Sequence, residues 1–234
     1  MRFFAANDRP LAAFTNKLMT SVCIHGSNFA RAQLCSPQQR TLTLTMTVPF
    51  SQACENNKHP ILAHLQNVFK AGSTVLEIGS RTAQHVTFFA EMMPSVHWQP
   101  TDIAENMPIL VEALAACRFA NIAPPVMLDV TMNPWPLDAM VTDTFDGVFS
   151  ANTLHIMPAS AVEQFFAGVG KALGAKGQLC VYGPFKYNGA FTTQSNADFD
   201  AALKAQYPLS GLRDFEWVDA LAQAQGLSLE SDFA

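Results

Sequence analysis

Charged side chains are scarce in this sequence: Asp, Glu, Lys and Arg make up 14% of its 234 residues, against about 25% in a typical soluble domain. Apolar residues make up 49%, which is enough for a sizeable core. The net charge of −5 is uneven, because five basic residues and one acid give residues 1–45 a charge of +4 and leave −9 for the rest. An acidic main body argues against binding along a nucleic-acid backbone, so we expect no nucleic-acid partner.

Long apolar runs and paired cysteines are also missing. No uninterrupted apolar run approaches the roughly 18 residues of a membrane-spanning helix, so we expect no membrane association. The five cysteines are odd in number, widely spaced and form no Cys-x-x-Cys pair, which argues against a disulfide framework or a thiolate metal site. Free thiols are typical of a reducing compartment, and we therefore expect a cytoplasmic protein without a bound metal.

The first 45 residues show no hydrophobic period and contain a single acid. This composition suits a targeting segment, and it equally suits sequence upstream of a true start at Met46. We expect residues 1–45 to be a poorly ordered N-terminal extension and residues 46–234 to form the folded domain.

The rest of the sequence alternates between strand and helix patterns. Short apolar runs predict strands, and apolar residues at helical spacing predict helices, with Pro60 in the first turn of the first helix. Such alternation predicts a doubly wound α/β domain with a mostly parallel sheet. The polar segment 55–58 is either a solvated turn or a lid that reaches a ligand. The predicted strands are 74–78, 96–101, 126–130, 145–150, 178–182 and 227–230, and the main helices are 60–70, 82–93, 105–119, 159–173 and 214–225.

The first predicted strand leads into a tight turn at Gly79. In open α/β sheets, this turn and the helix N-terminus after it bind nucleotide-like cofactors. Asp102 lies 23 residues beyond Gly79, close to the roughly 20 residues expected for a carboxylate that binds a ribose. The sequence therefore predicts a cofactor site around Gly79 and Asp102.

Two cofactor classes compete for this site. A dinucleotide site has further glycines so that the backbone approaches the pyrophosphate, but this sequence has Arg81 and Ala83 at those positions. The carboxylate of Glu77 would repel a pyrophosphate, whereas it suits a cofactor that carries an amino group and a sulfonium. A nucleotide-dependent oxidoreductase remains an alternative at this point.

The acid-x-Gly turn, together with Asp102 and Asp129, resembles the class I S-adenosylmethionine-dependent methyltransferases. Longer motifs resemble one group among them, the methyltransferase-like 26 family, long filed as a domain of unknown function. This resemblance covers residues 49–232, nearly all of the chain beyond the extension. The motifs that carry it are at 75–78, 84–85, 98–102, 128–131, 134–137, 152–156, 182–189 and 195–200.

The resemblance implies a Rossmann-like fold for the domain at 46–234. Class I methyltransferases insert a last, antiparallel strand between the fifth and sixth strands of the sheet. No strand pattern follows residues 227–230 in this sequence. We therefore expect that strand to be lacking and one edge of the fifth strand to be unpaired, which would be a liability for stability.

The resemblance also implies the residues that would hold S-adenosyl-L-methionine. Glu77 and Gly79 would lie beside its methionine part, with Ser80 and Gln84 in the same turn and helix start. Asp102 would accept hydrogen bonds from the ribose hydroxyls. As an alternative, each acid only caps the helix that follows it. The other candidates are Asp129 at the adenine amino group, Val130 beside the adenine ring and Asn152 at the methyl-donor end.

His155 follows the fourth predicted strand and is the candidate catalytic base for an acceptor that must lose a proton. The alternative is a hydrogen-bonded structural histidine. Tyr182, Lys186 and Asn188 follow the fifth strand and are expected to bind the acceptor. Arg213 is a further substrate-binding candidate, for which pairing with its neighbour Asp214 is the alternative.

These observations favour S-adenosylmethionine-dependent methyl transfer to an unidentified acceptor, which we expect to be a small molecule. The alternative is a non-catalytic S-adenosylmethionine-binding or interaction protein, because Arg81 and Ala83 replace glycines that the family commonly keeps. The sequence contains no Asn-Pro-Pro-Tyr run, so nothing indicates methylation of exocyclic amines in nucleic acid.

Overall fold

The computed structural model describes residues 1–6, 48–142 and 144–233. Strands and helices alternate along most of these residues. The strands are β1 (Arg2–Ala6), β2 (Thr74–Ile78), β3 (His97–Asp102), β4 (Val126–Met127), β5 (Phe145–Ala151), β6 (Leu173–Tyr182), β7 (Phe185–Tyr187), β8 (Ala190–Phe191), β9 (Arg213–Asp214) and β10 (Leu227–Asp232). The α-helices are α1 (Gln52–Val68), α2 (Gln84–Met92), α3 (Met107–Ala115), α4 (Ala159–Ala172), α5 (Gln194–Gln206) and α6 (Phe215–Ala224).

Seven strands form one sheet in the order β10-β1-β6-β5-β2-β3-β4. All neighbours from β6 to β4 run parallel, and helices pack on both faces. This confirms the predicted doubly wound, mostly parallel α/β fold. A second sheet, with the order β8-β7-β9, was not predicted, because its strands of two or three residues are too short to show a period.

The position between β6 and β10 is filled by the N-terminal strand. β1 is antiparallel to both neighbours, and Arg2 lies opposite Val181 on one side and Asp232 on the other. We expected no antiparallel strand at this position, and no strand follows β10 in the described part of the chain. The expected open edge is nevertheless paired, because a strand from the other end of the sequence occupies the position.

The first six residues are also ordered, in contrast to the expectation for the N-terminal extension. Successive side chains of a strand point to opposite faces of the sheet, and β1 buries both faces. Phe4 packs in the core that contains residues of α4 and α6, and Phe3 packs in the core that contains residues of α1 and α2. The rest of the expected extension, 7–45, lies outside the described residues, as do Cys23, Cys35 and Met46.

The first helix begins earlier than predicted. Ser51 is its N-cap, since the Ser51 Oγ accepts a hydrogen bond of 3.3 Å from the backbone N–H of Cys54, which satisfies a donor of the first turn. Pro60 therefore lies inside α1 and not in its first turn. The polar segment 55–58 is part of this helix, so it is neither a solvated turn nor a separate lid.

Three further expectations concern membranes, thiols and metals. None of the helices in the described residues is long and apolar enough to cross a membrane. Cys54, Cys117 and Cys180 carry free thiols. The described ranges contain no group of three His, Cys, Asp or Glu side chains that would hold a metal ion.

Replacing Phe4 with Ala should lower the free energy of unfolding by about 3–5 kcal/mol, because it removes a buried aromatic side chain from an interior strand. Urea unfolding followed by circular dichroism measures the change. Phe50→Ala is the matched control, since the Phe50 side chain is 67% exposed and its loss should change the free energy by less than about 0.5 kcal/mol. Equal effects of the two substitutions would show that β1 does not belong to the sheet.

Candidate functional site

Four of the predicted site residues lie along one edge of the large sheet. Glu77 is near the end of β2, Asp102 ends β3, Asp129 follows β4 and Asn152 follows β5. Because these strands run parallel, their carboxyl ends meet at the same edge. Ligands of open α/β sheets bind in the crevice at this edge.

The turn after β2 has a left-handed backbone at three positions. The φ angles of Gly79, Arg81 and Ala83 are +85°, +32° and +56°. This conformation is unfavourable for residues with a Cβ and costs on the order of 1–3 kcal/mol at each non-glycine position. The turn therefore keeps a glycine-type shape even where arginine and alanine replace glycine.

Gly79 and Ser80 fasten this turn to the neighbouring strands. Their backbone N–H groups both donate hydrogen bonds of 3.0 Å to the carbonyl of Thr101 at the end of β3. A Cβ on Gly79 would lie 2.6 Å from the Cγ2 of Thr153, in the loop after β5. Glycine is thus required at position 79 by the close approach of this loop as well as by its φ.

The carboxyl group of Glu77 lies beneath the turn, and only 2% of the residue is exposed. The Ser80 hydroxyl donates a hydrogen bond to its Oε2. Burial raises the pKa of Glu77 to about 7, the nearby Asp102 carboxylate also raises it, and the bond from Ser80 opposes the rise. Glu77 and Ser80 therefore support the turn from inside the fold.

The buried carboxylate of Asp102 already accepts three hydrogen bonds. The backbone N–H of Arg81 donates to Oδ2 at 2.7 Å. The backbone N–H of Ile103 and the side-chain amide of Asn106 donate to Oδ1, both at 2.8 Å. Because each carboxylate oxygen accepts about two hydrogen bonds, Oδ2 retains a position for a ligand hydroxyl, and displacement of Asn106 would free a second position.

Asp129 closes a local turn after β4. Its Oδ1 accepts hydrogen bonds from the backbone N–H and the hydroxyl of Thr131, both at 2.8 Å, which is a common use of aspartate in turns. The carbonyl of the next residue, Val130, accepts a bond of 3.2 Å from the Trp135 indole. Oδ2 of Asp129 takes no part in this turn and is the oxygen that a ligand donor would reach.

Gln84 holds the start of α1 against the start of α2. Its Oε1 accepts a hydrogen bond of 2.7 Å from the backbone N–H of Ser51, and its Nε2 donates one of 3.2 Å to the Ser51 carbonyl. Its amide is therefore occupied by another part of the chain, and it positions α1 beside the predicted cofactor turn.

A buried pair of side chains joins the same two helices. The Nε2 of His85 and the Oδ1 of Asn57 are 2.7 Å apart. Burial lowers the pKa of His85 to about 4, with a smaller contribution from the Lys58 ammonium. The imidazole is therefore neutral at pH 7, and it donates from Nε2 because the amide oxygen of Asn57 only accepts.

A cavity of about 750 Å³ opens at the carboxyl ends of β5 and β6. Asn152 and Tyr182 line it at the strand ends, and Asn56 and Asn57 line it from α1. Its volume lies in the range of roughly 300–1,000 Å³ that is typical of small-molecule sites. The structure thus brings Asn152 and Tyr182 together beside a space of ligand size.

His155 is not among the described residues that line this cavity. Its ring packs edge-on against Phe199, with 5.3 Å between ring centroids. Burial, together with a smaller contribution from the Arg213 guanidinium, lowers the pKa of His155 to about 4. A group with that pKa is a weak proton acceptor at neutral pH, so the geometry gives little support to the predicted catalytic role.

Arg213 fastens the loop after β5. Its guanidinium donates to the backbone carbonyls of Leu154 and Leu209, both at 3.1 Å, and to that of Met157. The alternative of an ion pair with Asp214 is wrong, because the Asp214 carboxylate pairs with another cation.

That cation is Lys186, whose Nζ lies 2.9 Å from the Asp214 Oδ2. The neighbouring candidate Asn188 is exposed, and its backbone N–H donates a hydrogen bond of 3.1 Å to the Glu216 carboxylate. Lys186 and Asn188 therefore support the small sheet around β7, and neither is among the described residues of the cavity wall.

Sequence reasoning did not name Arg2 as a site residue, and it included Asn57 only through the alternative of a lid at 55–58. Asn57 shares a helical face with Ile61 and His64, at spacings of four and seven residues that place side chains together, and all three line the cavity. Arg2 reaches it from β1, and the adjacent apolar residues Phe3 and Phe4 were the available signal for a strand.

Glu77→Gln should remove a pH dependence of stability. In the parent protein the folded pKa of about 7 exceeds the ordinary value of 4.5, so the contribution of Glu77 is most favourable below pH 4.5 and falls as the pH rises to 7. Relative to the parent, the variant should gain about 3 kcal/mol between pH 4.5 and 8. Urea unfolding across this range measures the difference.

The variant is compared with the parent because His85 and His155 have lowered pKa values. Their contribution to stability therefore rises with pH, opposite to that of Glu77. Glu163→Gln on the exposed face of α4 is the matched control and should leave the pH profile unchanged. Parallel profiles for Glu77→Gln and the parent would contradict the assignment.

Several solved structures of similar fold are methyltransferases. An O-methyltransferase family protein from Burkholderia thailandensis matches with a TM-score of 0.65 and 13% identity, over 78% of this chain and 55% of that one. The mitomycin 7-O-methyltransferase MmcR matches with a TM-score of 0.61 and 15% identity, over 76% and 49%. Human N-acetylserotonin methyltransferase, solved in complex with S-adenosylmethionine, matches with a TM-score of 0.58 and 14% identity, over 73% and 46%.

At these identities the likeness shows the fold alone, which is that of the class I methyltransferases. The chain spans about half the length of these structures. A family described as "Protein of unknown function (DUF938)" matches residues 48–234, which include every described element except β1. The chain therefore belongs to the DUF938 family of proteins of unknown function.

Proposed function

We propose that this protein transfers a methyl group from S-adenosyl-L-methionine to a small-molecule acceptor. The observation that carries the proposal is the strained turn at 79–83, which is tied to Asp102 by the hydrogen bond from the Arg81 backbone N–H. Left-handed backbone at non-glycine residues persists only where the surrounding structure holds it, and such strain clusters at binding sites. This turn also lies where α/β sheets bind their cofactors.

The residues around the turn fit this cofactor better than a dinucleotide. A pyrophosphate needs a close approach of bare backbone, and here it would meet the exposed side chain of Arg81. The neighbouring strand ends offer carboxylate acceptors instead, which suit hydroxyl and amino donors. We assign the ribose hydroxyls to Asp102 and the adenine ring to Asp129 and Val130.

The methionine part of the cofactor is assigned to Gly79 and Asn152. Asn152 lines the cavity with a left-handed φ of +58°, and Gly79 lies close to the side chain of the next residue, Thr153. Glu77, Ser80 and Gln84 contribute by holding the turn and α1 in place, as their hydrogen bonds indicate.

When bound, the cofactor supplies an electrophilic methyl group on a sulfonium. The protein's part is to orient the acceptor and to exclude water. The cavity beside Asn152 and Tyr182 supports this part, and Tyr182 is the acceptor-binding candidate that we retain. We assign no proton transfer to His155, because its low pKa makes it a weak base. We therefore expect an acceptor that does not need to lose a proton.

We further infer the family kinship and the cellular location of this protein. The motifs quoted above support kinship with the methyltransferase-like 26 family, and the cytoplasmic location stays a prediction from the free thiols. The non-catalytic alternative is supported by one observation, the three hydrogen bonds that already occupy the Asp102 carboxylate.

Isothermal titration calorimetry of the full chain with S-adenosylmethionine, S-adenosylhomocysteine and NAD⁺ tests the proposal. We expect the first two to bind and the dinucleotide not to bind. Asp102→Asn should weaken binding of both sulfur compounds by about tenfold or more, because it removes a charged acceptor of hydrogen bonds.

Asp146→Asn is the matched control. Asp146 also accepts a backbone hydrogen bond, from the Thr74 N–H at 2.8 Å, but it lies at the opposite edge of the sheet, where β2 and β5 begin. This variant should bind like the parent. No binding by the folded parent would overturn the proposal, and binding without turnover across an acceptor screen would favour the non-catalytic alternative.

A further inference from the structure

The cavity at the ends of β5 and β6 carries one sign of formal charge on its described walls. Arg2 lines it, and no Asp or Glu is present among the described lining residues. The neutral polar residues of the wall include the amides of Asn56, Asn57, Asn152 and Asn196. A cationic ligand would therefore find no counter-charge on these walls, whereas an anion would find donors.

Arg2 is built into the wall. The residue is 4% exposed, and its Cζ lies 3.9 Å from the centroid of the Phe185 ring and 4.7 Å from that of Phe215. Aromatic rings at these distances attract a guanidinium by the cation–π interaction and hold it in place. Arg2 is therefore a rigid charge and not a mobile surface side chain.

The guanidinium of Arg2 is not saturated by its partners in the described chain. Nη2 donates to the Tyr187 hydroxyl and, at 3.5 Å, to the Asp232 Oδ2, whereas Nη1 donates to no group in the described part of the chain. Nε lies 3.3 Å from the Asp232 Oδ1, but it is not aligned for a hydrogen bond. Since a guanidinium has five N–H donors in a fork that matches a carboxylate, donors remain for a ligand.

A second donor comes from α1. Asn57 is 7% exposed and lines the cavity. Its Oδ1 is occupied by the neutral imidazole of His85, which fixes the amide and leaves Nδ2 as the group that a ligand would meet. Ile61 and Pro184 supply apolar wall beside these donors.

We propose that this cavity binds a small molecule that carries a carboxylate, anchored by Arg2 and Asn57. Carboxylates match the fork of a guanidinium and accept from amides, and the apolar wall receives the carbon skeleton. The identification of this molecule as the methyl acceptor rests on the proposed function. An acceptor that is already ionised at neutral pH also suits a site without a nearby base.

Titration of the ¹⁵N-labelled full chain with benzoate, benzamide and benzylamine tests the proposal, because the three probes share a ring and differ in charge. Chemical-shift changes report affinity and location together. We expect benzoate to bind about tenfold more tightly than benzamide and benzylamine to bind most weakly. Equal affinities of benzoate and benzamide, or no binding of benzoate, would overturn the proposal.

Asn196→Asp and Gln194→Glu form a matched pair of variants. Both add an acid in the first turn of α5, where the helix dipole favours negative charge, and only Asn196 lines the cavity. Benzoate should bind at least about fivefold more weakly to Asn196→Asp and unchanged to Gln194→Glu. Equal loss in both variants would contradict binding in the cavity.

Arg2→Gln should abolish the preference for benzoate over benzamide. This substitution also breaks the contact with Asp232, so the Asn196 variant carries the test if the Arg2 variant does not fold. A preference that survives in a folded Arg2→Gln protein would overturn the anchoring role.

Titration with S-adenosylhomocysteine in the same samples separates the two proposals. Charge-selective binding of benzoate without binding of S-adenosylhomocysteine would support the carboxylate site and overturn the proposed function. Binding of S-adenosylhomocysteine without any charge preference among the probes would support the proposed function and overturn the carboxylate site.

Discussion

The pairing of β1 on both of its edges is the constraint on which the rest of the sheet depends. Among the described strands, β10 has β1 as its only neighbour in the sheet, and β6 has β1 on the edge away from β5. Phe3 and Phe4 enter the cores on opposite faces, so one short strand joins both hydrophobic layers. The same strand carries Arg2 to the cavity wall, which links closure of the sheet to the chemistry of the site.

The candidate cofactor turn shows how a fold can hold a backbone shape that its residues disfavour. The carbonyl of Thr101, the carboxylate of Asp102 and the side chain of Thr153 contact the turn from neighbouring strand ends. These contacts hold the left-handed backbone conformation at positions where glycine would adopt it without strain. Loss of glycine at Arg81 and Ala83 is therefore compatible with an intact turn, at a cost in stability that the packed sheet offsets.

The first helix is held at the site by polar contacts of Gln84 and His85. Of these two side chains only His85 changes its protonation state, and it does so only in acid. The Gln84 amide forms two hydrogen bonds with the backbone of Ser51, and the neutral His85 ring forms one with the Asn57 side chain. Because the pKa of His85 is lowered to about 4, this connection keeps one protonation state across the neutral range. The wall that α1 forms is thus insensitive to ordinary changes in pH, and the amide of Asn57 keeps a fixed orientation.

The sequence by itself determined the alternation of strands and helices, the turn at Gly79 and the position of Asp102, because these follow from periodicity and spacing within short windows. Only the tertiary structure decided the place of β1, since Arg2 pairs with Val181 and Asp232 and pairing over such separations leaves no local signal. It also decided the partners of Arg213 and the low pKa of His155, because burial and carbonyl positions come from distant elements. Residue type names a candidate, but neighbours remote in the sequence set its exposure, its partners and its charge.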